Sequence, residues 1–275
     1  MNIIDTIIAK LDRAHEHLES LDSAVWEFYK SRPYTFSSEF QHKEGNLHDW
    51  VFTIHVRREI PLRISAILGD GIQNVRATLD YLAYQLAVSN VGLDGDLDGT
   101  EFPIFKDEEK YHRVTNKGQP DRRSGLYKVR SIHPDAQTII ESLQPFHGGD
   151  NVLMWHLQHL SVIDKHRHFH IVSPPFGDWF AGTPLGEGLS PKPIEGLTIR
   201  TGILKRSFTD GAEVARFEVA VAHDFDFKVR VKHRIPGDMV LDEFGLPNAY
   251  AGHILAGLIG FVRKKAIPQL SPFLK

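Results

Sequence analysis

The sequence predicts an α+β fold, in which a helical core packs with an antiparallel β-sheet of about five strands. Two patterns support this fold class. Long segments repeat apolar residues at helical spacing, and other segments alternate apolar with polar residues, as a strand with one solvated face does. The chain has 275 residues, of which 41% are hydrophobic, so it is long enough to bury a large core.

Four long helices are predicted from apolar residues that recur every three or four positions, and they cover residues 3–30, 61–88, 150–169 and 247–265. Arg32-Pro33 ends the first helix, and Pro61 opens the second, because proline fits only the first turn of a helix. Shorter helices are expected at 107–116 and between Pro134 and Pro145.

The strands fall into two groups. Residues 35–58 predict two strands joined by a turn at Gly45-Asn46. An antiparallel meander is expected from the alternation in residues 197–206, 213–222 and 225–234. The Pro- and Gly-rich stretch 174–196 is predicted to be a long loop.

The organisation into domains has two possible readings. If the two groups of strands join into one sheet, residues 1–275 form a single α+β domain, which is the organisation we expect. The alternative is a helical domain over residues 1–172, followed by a β-meander with a C-terminal helix over residues 197–275.

Composition excludes several classes of function. The formal net charge is −3, so no molecule-wide basic field indicates a nucleic-acid binder. There are no cysteines, which excludes disulfides, thiolate metal sites and a cysteine nucleophile. We find neither a secretion signal nor a membrane-spanning stretch. We therefore expect a cytoplasmic protein with no membrane partner and no cofactor.

The second predicted helix carries an unusual polar face. One side holds an apolar stripe made of Ile64, Leu68, Ile72, Val75, Leu79, Leu82 and Leu86. The other side carries Asp70, Asn74 and Tyr81 in one row, and Arg76 and Asp80, four residues apart, in the next. No lysine or glutamate occurs between Arg63 and Tyr84, although these residues dominate exposed helix faces. The helix is therefore expected to be covered on both sides, by either a structural network or a functional site.

The third predicted long helix places a carboxylate on its inward side. Leu153, Leu157, Leu160 and Ile163 form its apolar stripe, and Asp164 lies in line with them. A carboxylate on a buried face needs a partner, and Arg167 or Arg76 is a candidate. His166 is the best candidate for a general acid or base, because histidine titrates near neutral pH.

Five histidines invite a metal hypothesis, and they are His156, His159, His166, His168 and His170. With Asp164 or Asp70 they could serve a metal-dependent hydrolase of a small molecule. None of their spacings matches a specific zinc motif, so we assign no metal ligand.

Three stretches of the sequence carry a resemblance to known proteins. The residues that carry this resemblance are the motif from Gly69-Asp70 to Leu79-Asp80, then Phe102-Pro103-Ile104, and then Asp164-Lys165-His166-Arg167. Through them the chain resembles a group of bacterial proteins of about this size with no established activity. The likeness covers roughly residues 1–170. In that group the first motif contains Arg, four residues, then His, which is similar to the signature of HEPN domains. HEPN domains are helical modules, often metal-independent ribonucleases of defence and toxin systems.

The HEPN resemblance implies an RNA partner and a site completed by a homodimer. It implies that Arg76 acts on the scissile phosphate, whereas the histidine position is Tyr81 in this chain and Gln73 replaces a second histidine of the group. In such a nuclease, catalysis would fall to Arg76, Asp80, Asp164 and His166. Substrate would be bound by Asp70, Asn74, Tyr81, Lys165 and Arg167.

A third hypothesis is a non-catalytic binding module, in which the same polar residues fix the helices in register. Tyr81 and the acidic net charge favour it over the nuclease.

Two further motifs are weaker. Residues 92–99 alternate Asp with Gly and Leu, faintly like a calcium loop, and Arg122, Arg123, Lys128 and Arg130 form a basic cluster that could meet an acidic partner or RNA.

Overall fold

The computed structural model describes residues 3–166, 169, 171–172, 197–204, 209–221, 239–241 and 249–275. Its helices and its antiparallel sheet confirm the α+β fold. The strand predicted at 225–234, the loop predicted at 174–196, and Arg167, His168 and His170 lie outside the described residues.

Contacts divide the chain into two compact units. A helical unit comprises Met1–Leu21, Ser65–Phe169 and Ala251–Lys275, and a sheet unit comprises Asp22–Ile64 and His170–Tyr250. The single-domain organisation stays a prediction.

The long helices and the helix that begins at Pro134 fall close to their predicted ranges. The helix expected at 107–116 is shorter, and helices at Gly125–Val129 and Ile267–Leu270 were not predicted. The helices are α1 (Ile3–Lys30), α2 (Leu62–Val91), α3 (Glu108–Tyr111), α4 (Gly125–Val129), α5 (Pro134–Ser142), α6 (Val152–His166), α7 (Ala251–Phe261) and α8 (Ile267–Leu270). A π-helical turn, Val262–Ala266, separates α7 from α8. Pro268 follows that turn, and a proline cannot donate the backbone hydrogen bond that a regular helix would need there.

Within the helical unit, α2 is packed on two sides, as its polar face predicted. Its apolar stripe from Leu68 to Leu86 is buried. Two glycines allow close approach on other faces. A Cβ built on Gly69 would lie 2.0 Å from Oδ1 of Asp164 in α6, and one built on Gly71 would lie 2.7 Å from the Leu255 side chain in α7. Both distances are too short for any larger residue without movement of the neighbour.

The sheet unit contains a four-stranded antiparallel sheet. Its strands are β1 (Tyr34–Glu44), β2 (Leu47–Val56), β4 (Leu197–Leu204) and β5 (Glu213–Val221), in the order β1-β2-β5-β4. A second pair joins β3 (Ile171–Val172) to β6 (Val240–Leu241). The predicted turn is confirmed, because Gly45 has a φ of +59° between β1 and β2. Pairing of β2 with β5 joins the two predicted groups of strands into one sheet.

The four-stranded sheet has one apolar face and one face that carries ion pairs. Trp50, Phe52 and Phe217 are buried on the first face. On the second face Arg216 binds Asp49 at 2.8 Å and Glu213 at 2.6 Å. Although burial opposes the shift, hydrogen bonds from Arg216 and Lys43 lower the pKa of Asp49. The alternation predicted for residues 213–222 thus has the expected structural basis.

None of the helices in the described ranges combines the length and the apolar character that crossing a bilayer requires.

Candidate functional site

Helices α2 and α6 of the helical unit meet along their polar sides, as the sequence suggested. Gly69 of α2 faces Asp164 of α6, Gln73 hydrogen bonds to Ser161, and Arg76 hydrogen bonds to Gln158. Because the numbers rise on α2 while they fall on α6, the two helices run antiparallel. The polar residues between them are therefore spread along the helices rather than gathered at one point.

Arg76 and Asp80 form the best-defined polar contact of this region. Nε and Nη2 of Arg76 donate to the two oxygens of Asp80 at 3.0 and 2.7 Å. Both residues also bind the backbone of Phe102. Its carbonyl accepts from Nη2 of Arg76 at 2.8 Å, and its amide donates to Oδ1 of Asp80 at 3.1 Å. We call this arrangement the Phe102 clamp.

The guanidinium of Arg76 is largely occupied by protein atoms. It has five N–H donors, and four hydrogen bonds go to Asp80, Phe102 and, at 3.4 Å, Oε1 of Gln158. Its side chain is 11% exposed, against 36% for Asp80. The arginine therefore ties α2, α6 and the segment after Glu101 together.

The segment that follows Phe102 is held by a second polar side chain. Fully buried Gln144 donates to the carbonyl of Pro103 at 2.8 Å and accepts from the amide of Phe105 at 3.0 Å. The Phe102-Pro103-Ile104 motif therefore owes its conformation to side chains distant in the sequence. Because buried backbone groups need partners, these two contacts explain how an irregular segment can pack inside the unit.

Asp164 is indeed placed against another helix, but its partner is not an arginine in the described part of the chain. Its carboxylate accepts a hydrogen bond from Nε2 of Gln73 at 3.0 Å, and the same nitrogen donates to the carbonyl of Ser161 at 3.1 Å. The carboxylate lies directly above the Cα of Gly69. The absence of a side chain at that position makes this close contact possible.

The remaining predicted site residues point elsewhere. The side chain of Asp70 is exposed, and Asn74 donates to the Asp70 carbonyl at 2.8 Å, within α2. The ammonium of Lys10, in α1, lies 5.7 Å from the ring centre of Tyr81. Tyr81, which the resemblance to HEPN domains predicts to stand in place of their histidine, therefore faces α1.

Arg76 and His166 do not meet. Lys165 and His166 are exposed at the end of α6, whereas Arg76 contacts that helix at Gln158. Gln158 and His166 are separated by about 12 Å along the helix axis, at about 1.5 Å per residue. The structure thus brings together Arg76 with Asp80, and Asp164 with Gln73, but it does not bring the predicted acid/base histidine to either pair.

A column of stacked side chains lies on the outer face of α6. The ammonium of Lys106 is 5.3 Å from the ring centre of Trp155, and the Trp155 ring stacks on His159 with centroids 5.8 Å apart and planes 26° apart. Trp155 and His159 are both partly exposed. We call this arrangement the Trp155 column. It combines a flat aromatic surface with a positive charge.

Two ionisable groups of the helical unit have shifted pKa values. Burial and the nearby His159 lower the pKa of His156 below its ordinary value of 6.5. Burial and the positive charge of Arg76 lower the pKa of Lys128, while Asp80 acts in the opposite direction. Lys128 contacts the carboxylate of Glu101. The shift of Lys128 indicates that the area around Arg76 is partly sheltered from water.

No three histidine, aspartate or glutamate side chains converge on a possible metal position in the part of the chain that the structure describes. His156 and His159 are separated by less than one turn of α6, and His166 lies at its end. Two of the five histidines of the metal hypothesis fall outside the described ranges.

Comparisons with protein-family models, with curated proteins and with solved structures found no match to this chain. The resemblance to HEPN domains therefore stays a prediction.

Several residues of the site were missed at the sequence level. Gln144 and Gln158 were not singled out, because glutamine carries no charge signal and its partners lie in other segments. The Trp155 column had a detectable signal, since Trp155 and His159 are four residues apart on a predicted helix. Lys106 had none, because its contact with Trp155 depends on the path of the Phe102 segment.

Proposed function

We propose that this chain is a non-catalytic RNA-binding protein, in which the polar residues between α2 and α6 are structural. The single observation that supports this reading most is the occupancy of Arg76. Four hydrogen bonds to protein atoms leave one N–H for any ligand. An arginine that stabilises a reacting phosphate needs its bidentate fork free, and this fork is bound to Asp80.

The nuclease alternative receives less support from the same geometry. A general acid or base has to lie within hydrogen-bonding reach of the reacting group. His166 lies more than two turns of α6 beyond the Arg76 contact, and Tyr81 faces Lys10. A tyrosine is also a poor base at neutral pH.

The Trp155 column is the surface we assign to RNA. Single-stranded nucleic acids bind to partly exposed aromatic rings, on which bases stack, next to positive charges that attract the phosphates. Trp155 supplies the ring, Lys106 supplies the charge, and His159 continues the stacked surface. The rest of the chain is mildly acidic, so binding depends on this local surface rather than on net charge.

The proposal includes the finer expectations of the sequence. We propose a cytoplasmic protein, since the chain has no cysteine. We also propose a homodimer of HEPN-like subunits, because the resemblance implies one.

The test is binding of a fluorescein-labelled single-stranded RNA of about 12 nucleotides, measured by anisotropy. We expect Trp155→Ala to weaken binding about 5- to 100-fold, the loss that corresponds to one stacked base. Trp155→Phe should retain most of the affinity, because phenylalanine keeps a stacking face. The matched control is Trp26→Ala, since Trp26 is 54% exposed and belongs to the sheet unit.

Two results would overturn the proposal. Equal affinities for the wild type, Trp155→Ala and Trp26→Ala would remove the Trp155 column as the RNA surface. Cleavage of the RNA by the wild type, lost in a folded Arg76→Lys variant, would restore the nuclease hypothesis.

A further inference from the structure

Two segments of opposite charge bind each other in the helical unit. The acidic loop, residues 94–101, contributes Asp96, Asp98 and Glu101. The basic segment, residues 122–130, contributes their partners. Arg130 binds Asp96 and Arg122 binds Asp98, both at 2.8 Å, and Lys128 contacts Glu101. Three of the four cations of the basic cluster noted in the sequence are therefore paired with carboxylates of the same chain.

In two of these three pairs, Arg130 with Asp96 and Lys128 with Glu101, the cation is less exposed than the carboxylate. The side chain of Arg130 is 19% exposed and that of Asp96 is 66% exposed. Lys128 is 22% exposed, against 44% for Glu101. The carboxylates thus lie on the outside of cations that belong to the body of the unit.

Arg130 is positioned by contacts that do not involve the acidic loop. Its guanidinium lies 3.8 Å from the ring centre of Tyr127, and Nη1 donates to the Tyr127 carbonyl at 2.7 Å. The backbone amide of Tyr127 in turn donates to the side chain of Ser124, which caps α4. The guanidinium would keep its orientation if the acidic loop moved away, so it is preorganised for an oxyanion.

The acidic loop depends on the basic segment in return. Nε and Nη2 of Arg130 hold both oxygens of Asp96, and Nη2 also donates to the carbonyl of Asp98 at 2.7 Å. Ser131 adds a bond to the Asp96 carbonyl. Asp94 has no ion pair among the described residues, and Leu93 is 74% exposed. Most of the side-chain contacts that hold the loop therefore come from one arginine.

We propose that Arg122, Lys128 and Arg130 form a second binding site, for RNA phosphates, and that the acidic loop masks it as an internal competitor. The carboxylates occupy the positions that phosphate oxygens would take. Exposed ion pairs are weak and are screened by salt, whereas an RNA that replaces them releases condensed counterions. The carboxylates of the acidic loop therefore occupy the three cations until an RNA is held nearby and its phosphates replace them. This inference rests on the proposed RNA binding.

The experiment compares two double variants with the same change in charge. Asp96→Asn/Asp98→Asn removes the masking carboxylates. The control, Asp94→Asn/Asp135→Asn, removes two exposed carboxylates, one unpaired among the described residues and one 3.8 Å from His133. Affinity for the same single-stranded RNA is measured by anisotropy at several salt concentrations.

We expect the unmasked variant to bind about 10-fold more tightly than the control. Two new phosphate contacts should also steepen its plot of log affinity against log salt by about 1.4, at about 0.7 per contact for a single strand. Adding Arg122→Gln to the unmasked variant should remove part of this gain. Equal affinities and slopes for the unmasked variant and the control would overturn the masking proposal.

Three further measurements keep the outcomes distinct. Circular dichroism and thermal unfolding show whether the unmasked variant is folded. If it is not, the same binding comparison is made with single substitutions, Asp98→Asn against Asp94→Asn, and equal affinities of these two variants overturn the masking proposal. Trp155→Ala separates the two proposals. If Trp155→Ala binds RNA as tightly as the wild type, and the unmasked variant still binds more tightly than its control, only the Trp155 column is contradicted. If Trp155→Ala weakens binding but the unmasked variant binds no more tightly than its control, only the masking proposal is contradicted.

Discussion

Arg76 and Asp80 lie one turn apart on α2, and together they bind the backbone amide and the backbone carbonyl of Phe102. The carbonyl is 2.8 Å from Nη2 of Arg76, and the amide nitrogen is 3.1 Å from Oδ1 of Asp80. A charged pair on a helix can thus serve as the pairing partner of an irregular segment, as a neighbouring strand would in a sheet. This structural role accounts for the partial burial of the pair, and no catalytic role is needed to explain it.

The Phe102 clamp predicts a residue-specific pattern of hydrogen exchange. Asp80→Ala should speed exchange of the Phe102 amide about 10- to 100-fold, because a hydrogen bond to a charged acceptor contributes about 1.5–3 kcal/mol. The Phe105 amide, which binds Gln144, should be little affected. Gln144→Ala should produce the opposite pattern. Uniform acceleration of both amides in either variant would show that the segment opens as one piece and that the clamp has no separate role.

The close contact between Gly69 and Asp164 predicts an unusual response to alanine. Alanine normally stabilises a helix by about 1 kcal/mol relative to glycine. At Gly69 the new Cβ would lie 2.0 Å from Oδ1 and 2.8 Å from Cγ of Asp164, so Gly69→Ala should instead destabilise the protein by about 1–3 kcal/mol. Urea unfolding measures the difference.

Two comparisons test the reason for that loss. Gly260→Ala, in α7, has no atom within 4 Å of the new Cβ and should be neutral or stabilising. In an Asp164→Ala background, Gly69→Ala should cost much less, since the clashing carboxylate is gone. If the cost of Gly69→Ala is the same with and without Asp164, the contact between the two helices is not its cause.

The lowered pKa of His156 predicts a loss of stability in mild acid. Burial and His159 lower this pKa in the folded state below 6.5, so the unfolded chain binds the proton first as the pH falls. Stability contributed by neutral His156 is fully present above the unfolded pKa and is lost below it, by at most about 1.4 kcal/mol per pH unit. The free energy of unfolding in urea is measured at several pH values between about pH 8 and pH 5. It should fall less steeply with decreasing pH for His156→Gln than for the wild type. Parallel curves would contradict the assignment.

The patterns that repeat along the chain were predicted well. Residues 3–30 were expected to form a helix and α1 spans Ile3–Lys30, because one apolar stripe over that length fits only a helix. The turn at Gly45 was equally clear, since its backbone adopts a positive φ that favours glycine. The prediction that α2 is covered on both sides followed from the lack of lysine and glutamate on its polar side.

The contacts of the candidate site could not be predicted in the same way. The sequence indicated that Asp164 needs a partner, but it did not indicate Gln73, because hydrogen bonding between uncharged and charged side chains leaves no periodic signal. It indicated the pair Arg76 and Asp80 from their spacing. It could not indicate that both bind Phe102, because backbone groups are the same at every position. Only the fold decides which of them is brought near.

The central claim is that Arg76 and Asp80 act as a structural unit, and a double-mutant cycle tests it most directly. Free energies of unfolding are measured in urea for the wild type, Arg76→Ala, Asp80→Ala and the double variant. We predict that Arg76→Ala costs about 2–4 kcal/mol and that the coupling energy is about 1–2 kcal/mol, reduced by the partial exposure of Asp80. A coupling below about 0.5 kcal/mol, the value of an exposed helix pair, with a fully stable Arg76→Ala variant, would contradict the claim.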